Sequence, residues 1–437
     1  MVDRRDQTPG KAAYVNTRLL DPATGLDATG TVLTDGEKIV GVGTDLTVPK
    51  GAEVIDCRGL CLAPGLVDIR AQLGEPGQEH KGTLESAGRA ATGGGITSLV
   101  CLPNTEPVID DMSVVEFVAR RARILGLTKV YAYGAATKGC QGKELAEMGM
   151  LAEAGAVAFT DGTHAIADSQ VMRQALSYAA TFGLTIVQHP EDPALAANGS
   201  MNLGENATRL GLTGIPPAAE VIMIERDIRL AELTGGRLHI AHVSTAESVD
   251  AIRRARSRGL DVTCDTAPPY FALNEQAVGD YRTFAKLSPP LRSEEDRQAI
   301  VAALADGTID VIASDHSPQD EDTKRLPFAQ AATGGIGLDT LLPMTLELYH
   351  NGHLSLLDAI GLISHRPADL MELPAGRLAE GGAADMVVFD PDHAWKIDAS
   401  TILSKSKNTP FDERPVQGIA VRTVVDGRTV FLRDGFA

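Results

Sequence analysis

The chain has 437 residues, of which 43% are hydrophobic and 22% charged, so it is long enough for a large core and more than one domain. Its net charge of −18 argues against nucleic acid and anionic membrane as partners, because both require a basic face. Five cysteines without a Cys-x-x-Cys pair, a polar start and no membrane-length apolar run predict a cytoplasmic protein without a signal peptide.

The first and last parts of the chain share a pattern of short β-type runs separated by turns. Asp-Gly turns follow strand-like runs at 35–36 and again at 426–427. The economical interpretation is a single unit assembled from both chain ends. The sequence therefore predicts a small β-sandwich domain formed by residues 1–62 and 374–437.

Between these parts, residues 63–373 alternate apolar strand-like runs with amphipathic helical stretches. The strand-like runs are Leu66–Ile69, Ile96–Leu102, Val130–Gly134, Ala156–Phe159, Leu184–Val187, Leu238–Ala241, Asp261–Cys264 and Ile309–Ala313. The helical stretches include Ser113–Leu125, Ser169–Phe182, Ala218–Leu233, Ala246–Arg258 and Ser293–Ala305. This alternation predicts a parallel sheet, and eight strands over roughly 310 residues predict a closed barrel. The predicted fold class is α/β, with a (β/α)8 TIM-type barrel inserted into the small β domain.

Residues with metal-ligand chemistry follow four of the predicted barrel strands, namely Asp161, His189, His242 and Asp315. The ends of barrel strands meet at one mouth, where imidazoles and carboxylates together suit a Zn²⁺-type ion. A single histidine after a strand is usually a hydrogen-bonded structural residue, but four such positions on four strand ends predict a site. The remaining histidines are predicted to be structural or surface residues: His80, His164, His239, His316, His350, His353, His365 and His393.

The first barrel strand ends differently, in Arg70 and Gln72. Residues two apart in a strand point to the same side, so both face the mouth. Arginine cannot lose its proton in a protein and therefore cannot ligate a cation. Its fixed charge could instead balance carboxylates that are costly to bury alone. We therefore expect Arg70 to pair with Asp315 or Asp161.

Seven short motifs occur in order along nearly the whole chain. They are Asn16–Pro22, Glu75–Lys81, Leu102–Thr105, Ala241–Thr245, Pro289–Arg292, Ala313–Pro318 and Ser404–Phe411. Together they resemble dihydroorotase in its long bacterial form, a cyclic amidohydrolase of de novo pyrimidine (UMP) biosynthesis. The resemblance implies two divalent ions that share a hydroxide, which attacks the ring amide carbonyl.

The resemblance also implies roles for individual residues. Asp161 is similar to the residue that bridges the two ions, and His189 and His242 are similar to the ligands of the second ion. Asp315 is similar to a ligand of the first ion that also acts as general base and acid. Asn104 is similar to a residue that binds the substrate.

The chain departs from the family pattern around the predicted site. The family has His-x-His followed by Arg after the first strand, whereas this chain has Arg70, Gln72 and Gly74. Ser288 replaces an asparagine, and Gln319 replaces a second histidine that contacts the substrate. Both ligands unique to the first ion are therefore absent, together with most groups that recognise the substrate, which leaves Asp315 vestigial.

Two interpretations follow from these replacements. In the first, the protein is a catalytically impaired or non-catalytic dihydroorotase homologue that acts as a structural partner of the aspartate carbamoyltransferase catalytic chain. The resemblance also implies that this protein forms a homodimer. In the second, it is an active one-zinc cyclic amidohydrolase, with the ion at Asp161, His189 and His242 and with Asp315 as base. Its reaction is then either the interconversion of carbamoyl aspartate and dihydroorotate or the hydrolysis of a related cyclic amide. Zn²⁺ at this one remnant site is the only cofactor that these interpretations allow. The sequence leaves open whether the loop 320–334 closes over the site.

Overall fold

The computed structural model describes residues 9–435. Both ends of this range contribute strands to one small domain. The strands from the N-terminal part are β1 (Lys11–Asp21), β2 (Leu26–Asp35), β3 (Lys38–Gly43), β4 (Glu53–Asp56) and β5 (Cys61–Pro64). The chain then leaves this domain and enters the barrel between Pro64 and Leu66.

The barrel strands follow in chain order, interrupted by a two-stranded ribbon. They are β6 (Leu66–Ala71), β7 (Ile96–Cys101), β8 (Lys129–Ala135), β9 (Ala156–Thr160), β10 (Thr185–Gln188), the ribbon strands β11 (Met201–Asn202) and β12 (Gly214–Ile215), then β13 (Arg237–Ile240), β14 (Val262–Thr266) and β15 (Val311–Ile312). The chain finally returns to the small domain. Its last strands are β16 (Met386–Lys396), β17 (Pro415–Val425) and β18 (Arg428–Leu432).

Helices lie between the barrel strands and after the last of them. They are α1 (Leu84–Gly93), α2 (Met112–Leu125), α3 (Met148–Glu153), α4 (Ser169–Phe182), α5 (Pro193–Ala196), α6 (Glu205–Leu210), α7 (Ala218–Thr234), α8 (Ala246–Ser257), α9 (Pro268–Ala272), α10 (Glu294–Ala305), α11 (Glu321–Lys324), α12 (Leu341–His350), α13 (Leu356–Gly361) and α14 (His365–Leu370). Among the described residues, none of these helices is long and apolar enough to cross a membrane.

The small domain is one continuous sheet shared by the two chain ends. Its strands are ordered β18-β17-β16-β5-β1-β2-β3, and β4 pairs with β1. The two halves join where β5 runs antiparallel to β16, with Met386 opposite Pro64. Side chains from both halves, including Tyr14, Leu62 and Val388, share one buried cluster. The prediction that both chain ends build one β domain is confirmed.

The barrel contains eight parallel strands in the order β6-β7-β8-β9-β10-β13-β14-β15. The last and first strands are joined just beyond β15, where the Gln72 amide donates to the His316 carbonyl over 2.8 Å and the His316 amide donates to the Arg70 carbonyl over 3.3 Å. The predicted strands match these elements to within a few residues. Ser293 caps α10 as expected, because its hydroxyl accepts a hydrogen bond from the Asp296 amide.

A partly buried ion-pair cluster connects the barrel to the small domain. Lys129, on β8, lies 2.7 Å from the Asp385 carboxylate and 2.8 Å from that of Asp426. Replacing Lys129 with methionine is expected to lower the free energy of unfolding by about 1–2 kcal/mol, because Asp385 is buried and loses its cation. Chemical denaturation would measure this, with Lys138→Met at an exposed pair as the matched control. Equal losses in the two variants would contradict the prediction.

Candidate functional site

A cavity of about 450 Å³ lies at the mouth of the barrel, where the strands end. Seven of the residues singled out from the sequence line it: Arg70, Gln72, Asn104, His189, Ser288, Asp315 and Gln319. Asp161 and His242 lie deeper, and both are almost fully buried. The mouth is where an α/β barrel builds its sites, so it is the candidate functional site of this chain.

Arg70 lies at the base of this mouth and is 3% exposed. Its Nε donates to Asp315 Oδ1 over 2.9 Å, and its Nη2 donates to the Gly162 carbonyl over 3.1 Å. The expected pairing of Arg70 with one of the two carboxylates is confirmed, and the partner is Asp315. Burial raises the pKa of Asp315, and the charge and hydrogen bond of Arg70 partly offset that rise.

His189, which lines the cavity, lies beside the deeper His242. His189 Nδ1 and His242 Nε2 are 2.9 Å apart, which is a hydrogen-bond distance. Two nitrogen ligands of a tetrahedral Zn²⁺ would lie about 3.3 Å apart. Burial, with the charges of Arg70 and His189, holds the pKa of His242 well below its usual value. The His242 ring is therefore neutral, and one of the two facing nitrogens donates a hydrogen bond to the other.

Asp161 is held by the turn that follows β8. Its Oδ1 accepts from the Thr137 amide over 2.9 Å, and its Oδ2 accepts from the Thr137 hydroxyl over 2.5 Å and from the Gly142 amide over 3.1 Å. Burial raises the pKa of Asp161, and the Thr137 hydrogen bonds oppose that rise. The carboxylate thus has three protein donors as partners.

Thr137→Val tests how much this hydroxyl stabilises Asp161. The substitution keeps the shape of the side chain but removes one charge-assisted hydrogen bond, so the free energy of unfolding should fall by about 1–2 kcal/mol. Urea denaturation would measure the change. The matched control is Thr181→Val, at an exposed helical position. A loss no greater than that of the control would count against a tightly held Asp161.

Asn104, whose role was implied by resemblance, is committed to the protein backbone. Its amide nitrogen donates to the Asp161 carbonyl over 3.0 Å, and its amide oxygen accepts from the Thr163 amide over 3.0 Å. It also packs so closely on Gly162 that a Cβ there would lie 1.7 Å from the Asn104 oxygen. In this arrangement Asn104 stabilises the turn after β9 at the edge of the cavity.

The replaced family positions have acquired partners of their own. The Ser288 hydroxyl donates to Glu191 Oε1 over 3.2 Å, and the Gln319 amide donates to the Thr333 carbonyl over 3.0 Å. Gly74 has φ +76°, and a Cβ at this position would lie 2.5 Å from the Gly82 carbonyl oxygen. The loop after the first strand therefore has a conformation in which the family's arginine, placed at position 74, would clash with the backbone.

Sequence reasoning missed several residues of the cavity wall. His164, predicted to be structural, lines the mouth, as do Lys81, Glu191 and Lys286. Glu191 could have been found, because it lies only two residues after His189. Lys286 could not, because the sequence does not indicate how the long segment after β14 packs over the mouth.

Two other histidines behave as predicted. His239 Nε2 lies 2.9 Å from Asp265 Oδ2, in a fully buried pair inside the barrel. His316 is also buried, and its Nδ1 accepts from the Gly337 amide over 3.2 Å. Burial lowers the pKa of His316 to about 3, so this ring is neutral. Both are structural residues of the barrel wall.

The part of the chain that the structure describes contains no group of three or more His, Cys, Asp or Glu side chains that could hold a metal ion. Asp315 pairs with a guanidinium that can never deprotonate, and the facing nitrogens of His189 and His242 bond to each other. Asp161 has Thr137 and Gly142 as its partners. The residues present therefore do not fit the metal centre that the family resemblance implies.

The backbone nevertheless keeps the form of a built site. His242 and Asp315 both have positive φ values, +38° and +49°, which are unfavourable for residues with a Cβ. Such conformations cost about 1 kcal/mol or more each and persist where the surrounding fold dictates the direction of a side chain. Two of them, after β13 and after β15 on either side of β14, indicate an inherited site.

A (β/α)8 barrel with imidazole and carboxylate side chains at its strand ends, joined to a sheet from both chain ends, defines an amidohydrolase-type protein. The L-hydantoinase (dihydropyrimidinase) of Arthrobacter aurescens matches this structure with a TM-score of 0.85 and 26% identity, over 96% of each chain. A D-hydantoinase matches with a TM-score of 0.82 at 23% identity, which supports the fold.

Sequence comparison is more specific. Residues 59–248 match the family described as "Dihydro-orotase-like". A protein of Syntrophotalea carbinolica named "Dihydroorotase" is 47% identical over 96% of this chain and 99% of its own length. A protein of the same name from the Wolbachia of Drosophila simulans is 45% identical over 96% of both chains. The chain belongs to the dihydroorotase family.

Proposed function

We propose that this chain is a dihydroorotase-family protein of UMP biosynthesis that has lost metal-dependent ring hydrolysis and serves as a structural partner of aspartate carbamoyltransferase. The main support for a loss of catalysis is the ion pair between Arg70 and Asp315. It places a permanent cation beside the carboxylate that resembles the family's general base. A base that is already paired with a guanidinium is a poor proton acceptor.

The alternative is an active hydrolase that uses a single ion at the remnant site. The facing nitrogens of His189 and His242 favour it, because a small outward shift would let both ligate one cation. Relatives that are 45–47% identical also carry the name of the enzyme. This alternative requires that the Asp161 carboxylate either break its hydrogen bonds to Thr137 and Gly142 or ligate the ion while it keeps them.

Metal content and turnover together distinguish these alternatives. We expect purified protein to carry no stoichiometric zinc, to interconvert carbamoyl aspartate and dihydroorotate no faster than buffer does, and to keep its melting temperature on addition of a chelator. Elemental analysis, a spectrophotometric ring-closure assay and thermal denaturation would measure these three quantities. Turnover that a chelator abolishes would refute the proposal and establish the one-ion enzyme.

The partner requires a separate measurement. Co-expression with the aspartate carbamoyltransferase chain of the same genome, followed by size-exclusion chromatography, should give one complex that contains both chains in fixed ratio. The protein alone should elute as a homodimer. Separate elution at micromolar concentrations would reject the partnership without bearing on catalysis.

A further inference from the structure

The loop between the antiparallel strands β16 and β17 is long for such a connection. Residues 397–414 contain no helix or strand, whereas hairpin loops usually have about 2–5 residues, and longer loops without secondary structure are often functional. The loop is closed at its base, because the Ile397 amide donates to the Arg414 carbonyl over 2.9 Å. Its middle part, residues 404–408, extends out of the small domain and contacts the loops of the barrel mouth.

Two of these contacts reach the loop that follows β6. The Lys405 ammonium donates to the Glu79 carbonyl over 2.6 Å, and the Ser406 hydroxyl donates to the Lys81 carbonyl over 2.6 Å. Gln78 and Lys81 of this loop line the cavity. Both hydrogen bonds therefore tie one segment of the cavity wall to the small domain.

Asn408, which is 2% exposed, reaches the loop that follows β15. Its side-chain nitrogen donates to the Ser317 and Gly334 carbonyls, each over 3.0 Å. Its side-chain oxygen accepts from the Gln319 amide over 3.2 Å, and its own carbonyl accepts from the Ile336 amide over 3.2 Å. Because Ser317, Gln319 and Gly334 line the cavity, one buried asparagine holds a second segment of the cavity wall.

We propose that residues 404–408 form a strap, through which the small β domain holds the loops of the barrel mouth and limits access to the cavity. Ser317 and Gly334 are buried, so their carbonyls would lose these donors without gaining water if Asn408 moved away. The mouth can widen on this side only when the loops after β6 and β15 leave the strap. This inference goes beyond the proposed function and depends neither on catalysis nor on the carbamoyltransferase.

Hydrogen exchange of the full chain carrying Asn408→Ala tests the strap on the side of the loop after β15. The Gln319 amide loses its acceptor and two carbonyls lose their donor, so amides within 317–336 should exchange roughly tenfold faster or more. Amides of β8, β9 and β10 should keep their original rates. The matched control is Asn351→Ala, at the exposed end of α12. Faster exchange throughout the barrel, or unchanged exchange within 317–336, would overturn the proposal.

A second variant keeps the proposal testable if Asn408→Ala fails to fold. Lys405 is exposed, so Lys405→Met should be tolerated, and it removes only the hydrogen bond to Glu79. Exchange should become severalfold faster within 78–82 and stay unchanged within 317–336. Lys143→Met, at an exposed position of the loop after β8, is the matched control. A response in both segments, or in neither, would contradict a strap that holds each loop through its own bond.

Access to the cavity can be measured with diethyl pyrocarbonate, which carbethoxylates histidine side chains. His189 lines the cavity and is 4% exposed, whereas His164 at the same mouth is exposed and serves as an internal reference. In Asn408→Ala the rate of modification of His189 relative to His164 should rise severalfold, as followed by mass spectrometry in buffer that contains a chelator. The ratio should stay unchanged in Asn351→Ala. An unchanged ratio in Asn408→Ala would overturn the role of the strap in limiting access.

Discussion

Replacing Arg70 with methionine is expected to lower the free energy of unfolding by about 3 kcal/mol at pH 7. Methionine keeps much of the side-chain volume but removes the cation that faces Asp315 at 2.9 Å. The carboxylate is 23% exposed, so water compensates only part of the loss. Urea denaturation would measure the effect, with Arg123→Met on exposed α2 as the matched control.

The pH dependence of this variant follows from the raised pKa of Asp315. Burial already raises that pKa above its ordinary 3.8, and removal of Arg70 raises it further, because the largest opposing influence disappears. A folded state with a raised acid pKa becomes less stable as pH rises from the ordinary value through the folded one. The stability deficit of the variant should therefore be largest near neutrality and should narrow as pH falls toward about 4.

A double variant separates the charge from the packing. Arg70→Met with Asp315→Asn removes both charges, so it should recover most of the stability that Arg70→Met alone loses. If the double variant is no more stable than Arg70→Met, the loss comes from packing, and Arg70 does not act as the counter-charge of the mouth.

The barrel could be predicted from the sequence because the pattern that indicates each of its strands is local. Each buried strand is a short apolar run, and Asp161, His189, His242 and Asp315 follow such runs directly. The Arg70–Asp315 pair was also predictable, although the two are 245 positions apart, because the first and last strands of a barrel are neighbours.

The unpredicted part of the site depends on loops that pack over the mouth. Nothing in the local sequence indicates that Thr137 binds Asp161, because that contact depends on how the turn after β8 folds back. The role of Lys286 likewise depends on its bonds to carbonyls at 329 and 331, in a different loop. The same bonds hold the loop 320–334 beside the cavity, where Thr333 and Gly334 line the wall.

Restoring both strand-one histidines, Arg70→His with Gln72→His, is expected to restore metal binding. The change releases Asp315 from its guanidinium and adds two imidazoles near His189 and His242, which is a ligand set that suits Zn²⁺. The variant should bind at least one zinc per chain. At a zinc concentration 100-fold above Kd it should gain about 2.7 kcal/mol of stability, which a chelator reverses. Elemental analysis and thermal denaturation measure both, with Gln72→His alone as the control.

Turnover should not return when the family's arginine is added as Gly74→Arg. Gly74 has φ +76°, and any Cβ there meets the Gly82 carbonyl oxygen at 2.5 Å, so the backbone must move before the side chain can point into the mouth. The strained φ and the close backbone contact together should lower the free energy of unfolding by about 3 kcal/mol. A loop that rearranges freely would show no such loss. Denaturation of Gly74→Arg, compared with Gly126→Arg at an open turn with φ +61°, measures the contact beyond the φ penalty. Equal stability of Gly74→Arg and Gly126→Arg would mean that the loop still adopts the family's conformation. Dihydroorotate turnover by the variant that combines Arg70→His, Gln72→His and Gly74→Arg would mean the same. The expected result is that the ligands can be restored by substitution, whereas substrate recognition requires the whole loop from the first strand to be rebuilt.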